Sequence, residues 1–201
     1  MPKAPALLLL AALVAAPPAY VAAQATDPAA QVIDSFDQTL IATMKGGKSL
    51  GAQGRYRKLE PAVTQTFDLA TMTRFAVGPK WSTLAPADQA ALVKAFTRMS
   101  VSTYAHNFDS YAGEKFNIVK VETRGLDKLV RTQLIPAGKA PVDLTYRMRD
   151  SGGWKIIDVY YNGSISQLTT QRSDFSATMN AGGPAALIKK LNDLSDKLMK
   201  S

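Results

Sequence analysis

Tyr104, Tyr146 and Asp158 are the residues best suited by type to acid–base work, since a phenol and a carboxyl held in a small helix-on-sheet fold can be tuned to exchange protons. Other chemistries fail on inventory. The chain has no Cys, which excludes thiol catalysis, disulfides and thiolate zinc sites, and His106 is its single imidazole. Gly46-Gly47-Lys48-Ser49 ends like a phosphate-binding loop. However, Ala42 stands where the leading glycine belongs, and a helical pattern precedes the segment where a strand is required, so it reads as a helix-terminating loop. Gly163-Ser164-Ile165-Ser166 lacks the second glycine of a nucleophile elbow. No cofactor and no metal are expected.

The 201 residues carry 24 Lys and Arg against 16 Asp and Glu, a formal charge of +8. The cations are dispersed from Lys45 to Lys200, which disfavours nucleic acid as a partner and suits an anionic lipid surface better. Lys3, an apolar run from Ala4 to Ala16, Pro17-Pro18 and small residues up to Ala23-Gln24-Ala25 have the order of a secretory signal. The run is shorter than the roughly 20 residues a membrane-spanning helix needs. Residues 1–25 are therefore expected to be a cleaved signal peptide, with a second possible cut after Ala23, leaving one domain over 26–201.

Any site must be positioned by the elements of that domain. Asp27-Pro28 opens a helix over 28–45 with Ile33, Phe36, Leu40 and Met44 on one face, and Gly46-Gly47 closes it. A second helical stretch from Ser49 to Thr66 carries Arg55, Arg57 and Lys58 and is expected to bend at Pro61. Asp68 caps a short third helix with Leu69, Met72 and Phe75 aligned, and Gly78-Pro79 stops it. Pro86 starts a long helix with Leu92, Phe96, Met99 and Thr103 in one stripe, widened by Val93, Tyr104, Phe108 and Tyr111. The period then changes to two. Four strands at about 115–124, 128–136, 141–149 and 153–161 read as an antiparallel meander. In the third, Val142, Leu144, Tyr146 and Met148 face one side, and Asp143, Thr145, Arg147 and Arg149 the other. Two amphipathic helices joined by Gly182-Gly183-Pro184 end the chain. Their glycine joint suggests that the Leu187, Leu191, Leu194, Leu198 stripe could act as a movable cover. The expected class is α+β, with helices packed on one concave face of a four-stranded sheet.

Phe67, Met72, Phe75, Trp81, Phe96, Met99, Tyr104, Phe108, Tyr111, Tyr146, Met148, Trp154, Phe175 and Met179 recur on inward faces. They describe either an ordinary core or, given seven Met and many aromatics, an adaptable cavity. If it is a cavity, the long helix and the inner sheet face, with Phe96, Met99, Tyr104, Leu144, Tyr146 and Met148, form its wall.

Arg55-Tyr56-Arg57, Phe67-Asp68, Gly78 with Trp81, Tyr104-Ala105, Tyr111-Ala112-Gly113-Glu114, the run from Val142 to Arg147 and the run from Gly153 to Val159 together resemble the MlaC/toluene-tolerance family of periplasmic lipid-binding proteins. Ile165-Ser166-Gln167-Leu168, Arg172-Ser173-Asp174-Phe175, Gly182-Gly183 and Leu187-Ile188 look closest to its hopanoid-associated HpnM branch. The resemblance implies an NTF2-like fold enclosing an apolar cavity. It implies a periplasmic carrier, without catalysis, that shuttles a phospholipid or a hopanoid between inner and outer membranes. An MCE-domain or RND-type inner-membrane transporter component and an outer-membrane lipoprotein acceptor would be its partners, with transient contact to membrane surfaces. Arg55, Arg57 and Arg147 match basic positions of the family pattern and are expected to meet a headgroup or a partner. The alternative remains a small-molecule enzyme on a related fold using the Tyr and Asp residues named first.

Overall fold

Asp27 begins the described chain by accepting a hydrogen bond from the Ala29 N–H at 2.9 Å, with Pro28 in the first helical position. The structure is a computed structural model describing residues 27–200; the expected signal segment lies outside the described residues. Helix α1 (Pro28–Thr66) buries Ile33, Phe36, Leu40 and Met44 on one face. It is broken at Gly47 (φ 40°) and Gly51 (φ 60°), conformations that glycine adopts without strain. Lys58 Nζ donates to the Ala42 carbonyl at 2.7 Å. In a straight helix those residues would be about 24 Å apart, so the chain reverses at the glycines and the two halves lie side by side. Pro61 does not interrupt the second half. It sits on the exposed side, where water can serve the carbonyl that a proline leaves unpaired.

Phe67 leaves α1 in extended conformation and bridges to Ile156, while the Asp68 N–H donates to the Ile156 carbonyl at 2.9 Å. Asp68 also caps α2 (Leu69–Val77) by accepting from Thr71 N–H at 2.9 Å. Asp68→Ala should therefore cost about 1 kcal/mol, read as a lowered midpoint in thermal unfolding. Leu69, Met72, Ala76 and Val77 are buried, but Phe75, expected on the same face, points outward and is 44% exposed. A short 3₁₀ turn (Gly78–Thr83) leads to α3 (Pro86–Asn107). This helix ends before Tyr111, which is exposed rather than part of the buried face.

Five antiparallel strands follow in sequential order: β1 (Lys115–Arg124), β2 (Asp127–Ile135), β3 (Val142–Asp150), β4 (Trp154–Tyr161) and β5 (Ile165–Ser166). The meander is as expected, and β5 is an unexpected two-residue addition pairing with Tyr160 and Tyr161. β1 forms one free edge and has a register shift at Val119 against β2. A second shift pairs Arg147 with Asp158 but Met148 with Ile156, leaving Ile157 as an extra residue in β4. Because of this bulge Ile156 and Val159 both face inward, whereas strict alternation would have turned one of them out.

α1 lies across the inner face of the sheet against β1, β2 and β4, and α3 packs on α1 and on α4 (Gln167–Leu198). α4 is broken at Gly183 (φ 65°). Lys190 Nζ reaches Asp174 Oδ1 at 2.5 Å, so this helix also doubles back on itself. Leu187 and Leu191 are buried and Arg98 of α3 pairs with Asp196, whereas Leu194 is 41% exposed. The C-terminal half of α4 is thus part of the helical core.

Candidate functional site

The aromatic side chains at the centre of the molecule form a continuous series. Phe36 meets Phe67 and Tyr104 edge-on at 5.4 and 5.3 Å, Tyr104 stacks on Phe108 at 5.7 Å, and Phe108 approaches Phe116 of β1 at 6.2 Å. This series supports one side of a cavity of about 480 Å³ between α3 and the inner sheet face. Its apolar wall comes from Met44 of α1, Phe67, Met72 of α2, Phe96, Met99 and Tyr104 of α3, Phe108, Leu134 and Pro136 at the end of β2, Val142, Leu144 and Tyr146 of β3, and Val159 and Tyr161 of β4. Ser100, Thr103, Asn107, Ser110, Glu114, Gln167 and Gln171 complete the lining, with no Lys, Arg or His among them. Asn107, Ser110, Tyr161 and Gln167 are exposed, which marks the polar side as the mouth. The volume falls in the range of small-molecule sites, and the balance of a broad apolar wall with a few polar groups suits a mainly hydrocarbon occupant.

The structure brings Phe67, Met72, Phe96, Met99, Tyr104, Phe108, Leu144 and Tyr146 to this cavity and sends the other expected wall residues elsewhere. Met148 is fully buried in the core beneath the sheet. Phe175 packs edge-on against Phe96 at 6.1 Å, away from the lining. Trp154 lies under Lys128 Nζ at 4.7 Å from its ring centre, and Trp81 packs against the core from within the 3₁₀ turn. Phe75 lines a separate depression with Arg147 and Arg149. Residue type marks these side chains as apolar without saying on which side of a wall they stand. Val142 was legible as the cavity neighbour of Leu144 by alternation. Val159 and Tyr161 depend on the β4 bulge, and Gln167 and Gln171 on where α4 begins, and neither has a sequence signal. None of the residues from 184 to 199 lines the cavity, so the expected leucine cover is not seated over its mouth.

The arginines also separate. Arg55 is buried: its Nε donates to the Ala105 carbonyl at 2.7 Å and its Nη1 to the Gly47 carbonyl at 3.3 Å. It holds the end of α3 against the break in α1 and offers nothing to a headgroup, which corrects the expectation placed on it. Arg57 is exposed on α1. Arg147 projects from the sheet face opposite the cavity and pairs with Asp127, so it cannot meet a headgroup held at the cavity mouth.

The Tyr–Asp acid–base set does not assemble. Asp158 faces away from the cavity, and its carboxylate accepts from Ser166 Oγ at 2.7 Å, Val159 N–H at 2.8 Å and Leu168 N–H at 3.2 Å, tying β4 to the start of α4. Burial holds the Tyr104 and Tyr146 phenols well above the usual tyrosine range, and the nearby Asp37 adds to both effects, so both stay protonated. Asp37 is not among the residues that line this cavity. It is buried, neither carboxyl oxygen has a hydrogen-bond partner among the described residues, and burial with Asp34 beside it pushes its pKa to about 8.

Comparison with known proteins follows the same line. A family profile described as MlaC protein matches residues 34–193. Comparison with curated proteins returns no match. Among solved structures, the chain is similar to a phospholipid-binding protein from Ralstonia solanacearum, determined in complex with a phospholipid, with a TM-score of 0.75 and 22% identity over 86% of this chain and 99% of that one. That likeness is one of fold, and together with a profile running from α1 into the second half of α4 it establishes that the chain belongs to the MlaC family.

Proposed function

We propose that this protein is a phospholipid carrier of the Gram-negative periplasm that holds acyl chains in the cavity between α3 and the sheet and shuttles them between the inner and outer membranes. The observation that carries this reading is the apolar cavity of about 480 Å³ with its polar mouth. MlaC family membership and a fold shared with a phospholipid-bound protein support it. Phe67, Met72, Phe96, Met99, Tyr104, Phe108, Leu144 and Tyr146 contact the tails, and the headgroup rests among Asn107, Ser110, Gln167 and Gln171. Each CH₂ removed from water is worth about 0.8 kcal/mol, so even one chain of about 15 methylenes represents roughly 12 kcal/mol in gross terms. Such a ligand does not escape into water unaided. Release therefore takes place against a membrane or a partner, here an inner-membrane transporter component and an outer-membrane lipoprotein. Residues 1–25 direct export and are removed, and no reaction is part of this reading.

Mass spectrometry of lipid extracted from protein purified without detergent tests it. Phospholipid at near-stoichiometric amounts is the expected result; a hopanoid in its place would assign the chain to the HpnM branch. Leu144→Trp, which fills the wall from β3, should lower the loaded fraction at least tenfold in a chain that still folds. Equal loading in wild type and variant would remove the cavity from the reading.

A further inference from the structure

The sheet face opposite the cavity carries a second depression, about 250 Å³ in volume, between β3, β4 and the first turns of α4. Arg147 and Arg149 stand two residues apart on β3 and share one buried carboxylate. Asp127 receives Arg147 Nε at 2.7 Å, Arg149 Nε at 2.6 Å and Arg149 Nη2 at 3.0 Å. With Asp158 also in the groove and Arg172 on the opposite wall, three guanidinium groups face two carboxylates, which leaves a net positive charge of about one. Asp127 holds their Nε edges and so orients both guanidinium planes; the two side chains are about 40% exposed, and Arg147 also donates to the Tyr160 hydroxyl. Asp158, the other acid in the groove, is fully committed to Ser166, Val159 and Leu168.

Arg172 enters from the opposite wall on α4, with no carboxylate within ion-pair distance among the described residues. It lies where Gly78 leaves room: a Cβ at Gly78 would stand 3.2 Å from the Arg172 Nε. At the rim, Phe75 is 44% exposed with the Arg74 guanidinium 6.0 Å from its ring centre. Pre-oriented guanidinium donors beside an exposed aromatic ring make an interaction surface for carboxylates flanked by an apolar side chain. The recess favours a peptide, which can send a side chain into it, over a bilayer, whose flat surface would meet the rim.

We propose that this groove docks an acidic peptide segment of a protein partner, with carboxylates received by Arg147, Arg149 and Arg172 and an apolar residue resting on Phe75. The site opens on the sheet face opposite the cavity, and the first turns of α4 separate it from Gln167 and Gln171 at the cavity mouth. The inference rests on charge and shape and is independent of what the cavity carries.

A short synthetic peptide of alternating Glu and Leu, its Lys and Leu counterpart, and vesicles containing phosphatidylglycerol are the probes. Amide NMR shifts of the isotope-labelled protein are the readout. The Glu peptide should shift residues 75, 147, 149 and 172 and their neighbours, and binding should weaken steeply with added salt. Arg172→Glu and Phe75→Ser alter exposed side chains and should each weaken it at least tenfold, while Lys94→Glu on the exposed side of α3 leaves it unchanged. Equal binding of the two peptides, shifts confined to other surfaces, or loss of vesicle binding instead of peptide binding in Arg172→Glu would each overturn the proposal.

Discussion

Asp37→Leu should raise the stability of the folded chain at pH 7 by up to about 4 kcal/mol and abolish the decline in stability expected of the parent protein as pH rises. The residue occupies the 33, 37, 40, 44 spacing of α1's buried face, with both carboxyl oxygens unpartnered among the described residues and Tyr104 and Tyr146 nearby. Its folded pKa of about 8 lies above its ordinary value of 3.8. Below 3.8 both folded and unfolded chains hold the proton, and nothing is lost. Between 3.8 and about 8 the unfolded chain releases it while the folded chain retains it, so stability falls by up to about 1.4 kcal/mol per pH unit across that window. Asp37→Asn keeps the shape and removes the titration. Urea unfolding of the parent and of this variant at steps from pH 4 to 8 isolates the group, because other ionisable residues are common to both. Parallel stability curves would show that Asp37 ionises normally in the folded protein.

Arg55→Ala should cost about 3 kcal/mol. It removes a buried guanidinium and leaves the carbonyls of Ala105 and Gly47 without the donors they have at 2.7 and 3.3 Å. The first ends α3, whose last residues form part of the cavity wall, and the second sits at the break in α1. Both ends lose their shared anchor. Arg55→Lys, with one charged donor group and no planar fork, should recover part of the loss. Denaturant midpoints measure the cost, and lipid per folded molecule separates it from a role in binding. Reduced loading at unchanged stability would return Arg55 to the headgroup role that its position in the family pattern suggested.

Arg55 and Asp37 show where the sequence was hard to read. An arginine on a helix has the same letter whether its head is in water or clasping two carbonyls, and its apolar stem permits both. Asp37 was legible in principle, since it interrupts an apolar stripe, but the stripe of Ile33, Phe36, Leu40 and Met44 is complete without it. The strands were placed to within about two residues because Gly125, Ala137-Gly138 and Gly152-Gly153 punctuate a clear period of two. The reversals at Gly47 and Gly183 were legible as glycine interruptions of helical patterns. The extra residue at Ile157 and the two-residue β5 depend on long-range pairing and have no local signature. For the cavity, alternation in β3 gave the direction of Leu144 and Tyr146. Phe75, Trp154 and Phe175 needed the packed structure, because apolar character alone does not tell a void's lining from the solid core behind it.

The free edge formed by β1 bears on how the molecule behaves among its own copies. An unpaired strand edge is a template for another strand, and ten residues of it would be a long one. Here the edge is obstructed: Lys115, Lys120 and Arg124 punctuate it, Lys120 and Arg124 pair with Glu122, and the irregularity at Val119 breaks the straight row of backbone donors and acceptors. At the other margin β5 covers Tyr160 and Tyr161 of β4, and the Phe67 bridge with the Asp68 N–H occupies the edge at Ile156. Both margins thus discourage sheet-to-sheet polymerisation, and the chain can be crowded without its strands adding to one another.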